Sequence, residues 1–214
     1  MTAIIERRKE RLRLRREAKR GVSYGLEAWL DSDLPTTLGT LTQTFGEKIL
    51  AAACLALMAP SALPIPTGGA THVFDVIAIV FAAQMAVARR NIWLPAKWER
   101  RKLGKGSQKA LRYLIRFVRQ CERISKPRLA RLINSRLGGA VLGLAIAALV
   151  VAAFLSPPFS GLDTLPSLGV VLIALGILLE DAVFVIGGLA VGTLGVSISI
   201  IFGVQATHFI SNLF

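Results

Sequence analysis

The chain has 214 residues, 53% of them hydrophobic, yet it carries a formal charge of +13 from 26 Lys/Arg against 13 Asp/Glu. Soluble domains run at roughly 45–50% apolar, and a soluble nucleic-acid binder has no use for long uncharged runs. High hydrophobicity and high charge coexist only if the two kinds of residue are kept apart along the chain.

They are kept apart. Residues 1–20, "MTAIIERRKERLRLRREAKR", hold nine of the cations. This stretch has no 7–15-residue apolar core, so a cleavable secretory signal is not expected. Residues 6–20 read as a frayed helix drawn to anionic lipid, too uniformly charged for a deep apolar face. Apolar stretches follow at 49–63 and 70–88, joined by "PSALPIPTGG", which contains Pro64 and Pro66. Sixteen more cations crowd residues 89–136. Two further apolar stretches, 137–156 and 165–179, are joined by "SPPFSGLDTLP" with Pro157, Pro158 and Pro166. The last runs from 182 to 204.

Proline lacks the N–H a helix interior needs, so each pair of stretches predicts a helical hairpin with a broken tip. A bilayer core takes about 20 helical residues. The stretches at 137–156 and 182–204 are long enough; 49–63 and 165–179 are short. Two readings therefore stand: thin two-pass hairpins, or re-entrant hairpins buried among other helices. The positive-inside rule puts residues 1–20 and 89–136 in the cytoplasm. The expectation is an all-α, multi-pass protein of a bacterial inner membrane with its N-terminus cytoplasmic. It divides into a basic N-terminal region (1–44), a first hairpin (45–90), a basic amphipathic segment (91–136), a second hairpin (137–181) and a final transmembrane helix (182–214). An offset of 92 aligns 45–90 with 137–182 without a gap and gives nine identities in 46, the Pro/Gly tips among them. The hairpins thus read as an internal repeat.

Residues 108–125 form a separate amphipathic element. Leu111, Leu114, Ile115, Val118 and Cys121 share one side, with Tyr113, Phe117 and Ile124 beside them. Lys109, Arg112, Arg116, Arg119 and Arg123 fill the other arc. A helix of this design lies in the headgroup layer, its arginines on anionic lipid; the plainer reading is a cytoplasmic helix packed on its neighbours.

Chemistry-bearing residues are few. The catalytic signatures GxSxG, HExxH, CxxC and GxxxxGK[ST] do not occur. Cys54 and Cys121 suggest neither a disulfide nor a metal site, and no cofactor is expected. His72 and Asp75 share a helical face. The plain reading has them solvating a tip and capping a helix; the sharper one gives them a proton or a substrate. Asp163 reads as the cap of the next helix, with Pro166 in its first turn. Re-entrant tips would bring Asp75 and Asp163 together, and ionisable groups within a membrane are functional by default. Gln84 is placed to hydrogen-bond across helices. Glu180-Asp181 reads as a tight turn with Asp181 capping the last helix, or as a partner of Arg89/Arg90. Stripes of small residues, Gly139/Gly143/Ala147, Gly188/Gly192 and Gly195/Ser199/Gly203, suit close helix packing and would equally suit a homodimer.

The order "QMAVARRNIWLP", Gln84 to Pro95, resembles the ExoD family of bacterial exopolysaccharide-synthesis membrane proteins through Gln84, Arg89, Trp93, Leu94 and Pro95. "ALPIP" and "SPPFSGLDTLPSL" resemble that family's two tips, and "LGILLEDA" resembles its second-hairpin ending. Asp181 is retained there, while Glu180 stands where arginine is usual. The resemblance implies an inner-membrane protein linked to exopolysaccharide production and supplies no reaction. Two functions follow as expectations. One is a transporter of a lipid-linked sugar, a lipid or an ion. The other is a non-enzymatic scaffold that docks polysaccharide-synthesis proteins through Arg112, Arg116, Arg119 and Arg123.

Overall fold

The computed structural model describes residues 10–32 apart from 11, 15 and 19, then 37–46, 48–63, 72–87, 104–128, 130–133, 135–156 and 160–211, with side chains described as far as 202. Among them the regular elements are helices: α1 Val22–Leu30, α2 Leu38–Phe45, α3 Lys48–Met58, α4 His72–Ala86, α5 Lys105–Ile124, α6 Ala130–Ile133, α7 Arg136–Leu155, α8 Thr164–Leu179 and α9 Ala182–Ser211. The all-α expectation holds. The prolines at 64, 66, 157 and 158, and the basic run at 88–103, lie outside the described residues.

Local chemistry sets several boundaries. Thr37 and Thr40 form a reciprocal capping box at the start of α2. The Ser135 hydroxyl accepts the Gly138 N–H at 2.9 Å and opens α7. Pro166 sits in the first turn of α8, as expected, where a missing N–H leaves no bond unmade. That helix ends on Glu180 in the left-handed region (φ 56°, ψ 29°), and the Glu180 and Asp181 N–H groups both reach back to the Gly176 carbonyl. Glycine usually occupies such a position.

Helix α8 is the centre of the molecule. Twelve of its 16 residues are buried, from Pro166 to Leu179. Helix α3 packs on α4 and α8, α7 packs on α4 and α8, and these contacts close a four-sided bundle; α9 lies along α8 and the edge of α7. Small residues permit the closest approaches. A Cβ on Gly169 would sit 2.6 Å from the Gly192 Cα, and one on Gly195 would strike Leu165 and Pro166. Gly143 meets the α4 backbone at Met85 and Ala86. At Gly143, Gly188, Gly192 and Gly195 the stripes seen in the sequence are spent inside the chain, whereas Gly139 looks onto open space.

The outer helices are apolar on their outer faces. Leu137, Val141, Leu144 and Leu155 of α7, and Val183, Ile186, Leu194 and Ile200 of α9, are exposed. Arg136–Leu155 and Ala182–Phe202 are long and apolar enough to cross a membrane, with only 33% and 22% of those windows buried. The core helix of a soluble protein would be buried on most of its surface instead. Helices α3, α4 and α8 are apolar but shorter.

A second layer packs α1 on α5. Trp29, Leu26 and Val22 bury their side chains in the same core as Ile115 and Val118. Helix α1 begins at Gly21, which has no side chain to cap with. Glu122 of α5 caps it from across the chain, its carboxylate accepting the Ser23 N–H at 3.0 Å and the Ser23 hydroxyl. Upstream, Leu14 is 1% exposed. One apolar side chain of the basic stretch thus reaches the core, a single contact that its charge pattern did not announce.

Gly143→Ala is expected to destabilise the fold by about 1–3 kcal/mol, because its Cβ would stand 2.4 Å from the Ala86 nitrogen. Gly139→Ala, one turn earlier and facing open space, is expected to be neutral or to gain roughly 0.5–1 kcal/mol. Thermal unfolding of the two variants in detergent checks the contrast.

Candidate functional site

The apolar bundle has two ends, and polar side chains collect at both. One end joins the start of α3, the end of α8, the start of α9 and the end of α5. The Lys48 ammonium meets the Glu180 carboxylate at 2.6 Å. Asp181 is buried and fully engaged. Its Oδ2 accepts the Ser125 hydroxyl and the Lys126 N–H, each at 3.0 Å, and its Oδ1 accepts the Val183 N–H at 3.0 Å. The Arg128 guanidinium lies 3.7 Å away. Asp181 thus caps α9 as the sequence suggested, but among the described residues its basic partner is Arg128; Arg89 and Arg90 lie outside them. A cavity of about 670 Å³ opens beside this end between Arg20, Lys48, Arg119, Arg123, Glu122 and Glu180. Three of its cations already face carboxylates: Lys48 faces Glu180, Arg119 faces Glu27 and Arg20 faces Glu17.

The opposite end joins the tail of α7 to the first turns of α4 and α8. Asp75, in the first turn of α4, is 2% exposed. Its Oδ2 lies 3.1 Å from His72 Nδ1, three residues earlier on the same face. The His72 ring packs edge-on against Phe154 of α7, with centroids 5.3 Å apart at 71°. The other Asp75 oxygen meets no hydrogen-bonding partner among the described residues, and neither do the buried hydroxyls of Ser61 and Ser167. Ser61 follows α3 and Ser167 lies in the first turn of α8, so all three groups belong to one end of the bundle. Asp163 immediately precedes α8 at this same end. Further along, the Ser199 hydroxyl of α9 reaches the Leu162 carbonyl at 3.4 Å.

Two expectations are corrected here. Asp75 does not solvate a tip; it is enclosed by helices, because α4 turns Asp75, Ala78, Ala82 and Met85 inward as one stripe. Asp163 occupies the N-cap position of α8 without making a side-chain cap bond. Its residue is already helical (φ −71°, ψ −22°), whereas a capping side chain needs extended backbone. Asp75 and Asp163 lie in and just before the first turns of α4 and α8, at the same end of the bundle. Gln84 is buried late in α4.

The arginines of α5 divide. Arg112 pairs with Asp31 at 3.7 Å, and Arg119 pairs with Glu27 and lies over the Tyr24 ring at 5.0 Å. Arg116 lies over Tyr113, its own neighbour on the helix, at 5.7 Å. Glu122 was missed in the sequence. The signal available was indirect: a helix opening on glycine lacks its own cap, and α5 carries one carboxylate among many cations. The buried Ser61 and Ser167 hydroxyls carried no motif at all.

These features define an all-α chain with two helices long enough to span a membrane and a carboxylate enclosed among its apolar helices. The chain belongs to the ExoD family: the family model for "Exopolysaccharide synthesis, ExoD" matches residues 26–201. It is 30% identical over 156 residues to Protein ExoD of Rhizobium meliloti, an alignment covering 71% of this chain and 64% of that protein. An uncharacterized protein of Synechocystis sp. is 27% identical over 161 residues, covering 73% of this chain and 75% of the relative. No solved structure matches.

Asp181 gives the fold a pH dependence of known sign. Burial works against its charge, but the Lys126 and Val183 N–H groups, the Ser125 hydroxyl and Arg128 outweigh that and hold its pKa below the ordinary carboxylate value. A depressed folded pKa contributes stability above the unfolded pKa of about 3.9, lost as pH falls through the folded value. Asp181→Asn is therefore expected to cost about 1–3 kcal/mol at neutral pH and to flatten the loss of stability below pH about 4. Melting curves across that range measure both effects.

Proposed function

We propose that the chain is a multi-pass protein of the bacterial inner membrane that serves exopolysaccharide production as an ion-coupled transporter, with Asp75 as the group that takes up the proton or monovalent cation. The reading assigns it no catalytic step. The observation that carries it is the Asp75 carboxyl itself: enclosed by apolar helices, bound on one oxygen by His72 and without a partner among the described residues on the other. Such a group is tolerated in an apolar interior only when it is protonated or paired with a cation.

The packing supports the transport reading in a second way. At the offset of 92, α4 starts at residue 72 and α8 at 164, and Asp75 falls opposite Ser167. The contacts repeat with the sequence: α3 lies on α4 as α7 lies on α8, and α4 lies on α7 as α8 lies on α3. Two hairpins related by a pseudo-two-fold axis produce this pattern. It would place the Asp75 and Ser167 side chains on equivalent sides of the interface between repeats, where repeat-built transporters hold their substrates. The short helices α3 and α8 are also the most enclosed, which suits re-entrant hairpins sheltered from lipid. The cytoplasmic side would be the end that carries Lys48, Glu180 and Asp181, beside the basic segment.

The test is flux in proteoliposomes under an imposed pH or potassium gradient, read with an internal pH dye. Asp75→Asn is expected to reduce flux by at least tenfold with unchanged helical content and melting temperature, and Asp163→Asn by a smaller factor. Wild-type flux in both variants would sink the proposal.

A further inference from the structure

Helix α5 carries three distinct faces, and only two are accounted for by the rest of the described residues. At 100° per residue, Ile115 and Val118 point into the core, at 3% and 0% exposure. Arg112, Arg119 and Glu122 point toward α1, where Asp31, Glu27 and Ser23 receive them. The third face holds Tyr113, Phe117 and Ile124 within an arc of about 40°, and they are 58%, 45% and 78% exposed. Lys109 and Arg116 run along one edge of that arc, with Arg123 beyond them at the rim of the cavity it shares with Glu122, all three exposed. None of the three cations has a carboxylate within ion-pair distance among the described residues.

The position of this face is set by the Asp181 latch. Ser125 and Lys126, immediately after α5, bind the residue immediately before α9. From there α9 presents Val183 and Ile186 outward, at 55% and 64% exposure. The exposed Ile124 thus belongs to the level at which the apolar outer face of a membrane-length helix begins. A water-facing surface at that level has no need of an isoleucine, a phenylalanine and a tyrosine in register, whereas a headgroup layer suits both the apolar row and the cationic edge.

The geometry points to α5 as a bilayer-docking helix: Tyr113, Phe117 and Ile124 enter the headgroup layer while Lys109, Arg116 and Arg123 bind the phosphates of anionic lipid. Arg112 and Arg119 are left out of that role, since each already faces a carboxylate of the α1 region, Asp31 and Glu27. The inference rests on the membrane placement of the chain but not on its transporting anything, so the Asp75 flux experiment and this one fail independently.

The probe is a bimane dye on Phe117→Cys, or on Ile124→Cys if the first variant does not fold, with Cys54 and Cys121 replaced by alanine in the full chain. The protein is placed in nanodiscs of phosphatidylcholine alone or mixed with phosphatidylglycerol, and quenching by acrylamide is measured. Quenching at least threefold weaker in the anionic discs is the expected result. Replacing Lys109, Arg116 and Arg123 with glutamine should abolish that protection, each cation being worth roughly fivefold in binding to an anionic surface. Arg112→Gln should leave it in place. Equal quenching in both lipids would overturn the inference and return this face to water or to an acidic protein partner. A chain that size-exclusion chromatography finds outside the discs would overturn the membrane placement, and this inference with it.

Discussion

The enclosure of α8 is the constraint on which the rest of the structure depends. Its 16 residues reach about 24 Å at 1.5 Å per residue, short of a bilayer core of about 30 Å. It is also apolar on every side, so water cannot cover it. Protein has to, and α3, α4, α7 and α9 are disposed accordingly, with α3, α7 and α9 in direct contact with it. The glycines follow from this demand. Gly169 against Gly188 and Gly192 lets α9 approach until the two backbones touch, which maximises dispersion contact where no hydrophobic drive operates between helices in lipid.

Once α8 is enclosed, polar groups can survive only at its ends, and the two ends treat them differently. At the Glu180–Asp181 end the two carboxylates are answered: Lys48 meets Glu180, and Asp181 receives two backbone N–H groups, a hydroxyl and a guanidinium. That end is finished structure. At the Asp75 end a carboxylate oxygen and two hydroxyls face no described partner. Native interiors keep such groups rarely, and usually for a purpose. The contrast between an answered end and an unanswered one, within one bundle, is why the functional reading is placed at Asp75 and not at the more highly charged cavity opposite.

Much of this architecture was legible in the sequence. The five apolar stretches became α3, α4, α7, α8 and α9 with boundaries shifted by a few residues, because a change from Leu/Val/Ala to Pro, Gly or Arg is both a compositional and a conformational break. Side-chain direction was much less legible. Periodicity placed five cations of α5 on one arc but could not divide them, since the division is made by Asp31 and Glu27, which are far away in the chain. Asp75 read as a tip residue because His and Asp beside a Pro/Gly loop usually are. Its enclosure goes with the packing of α4 on α3 and α7, including His72 against Phe154, contacts that local pattern does not encode. Leu14 illustrates the same gap: a single leucine among arginines found a place in the core.

The Lys48–Glu180 contact also has a bearing on the order in which the molecule is assembled. The two residues are separated by 132 positions, and α3 is covered chiefly by α8, which is synthesised long after it. An 11-residue apolar helix too short to span a bilayer must therefore wait, unsheltered, while more than a hundred residues are made. Contacts of such long sequence separation form late and slowly. The short linkage of α3 to α4 gives it a provisional neighbour in the meantime. The nascent chain thus has an interval in which α3 lacks its chief cover, and it ends only when α8 is made and Glu180 can meet Lys48.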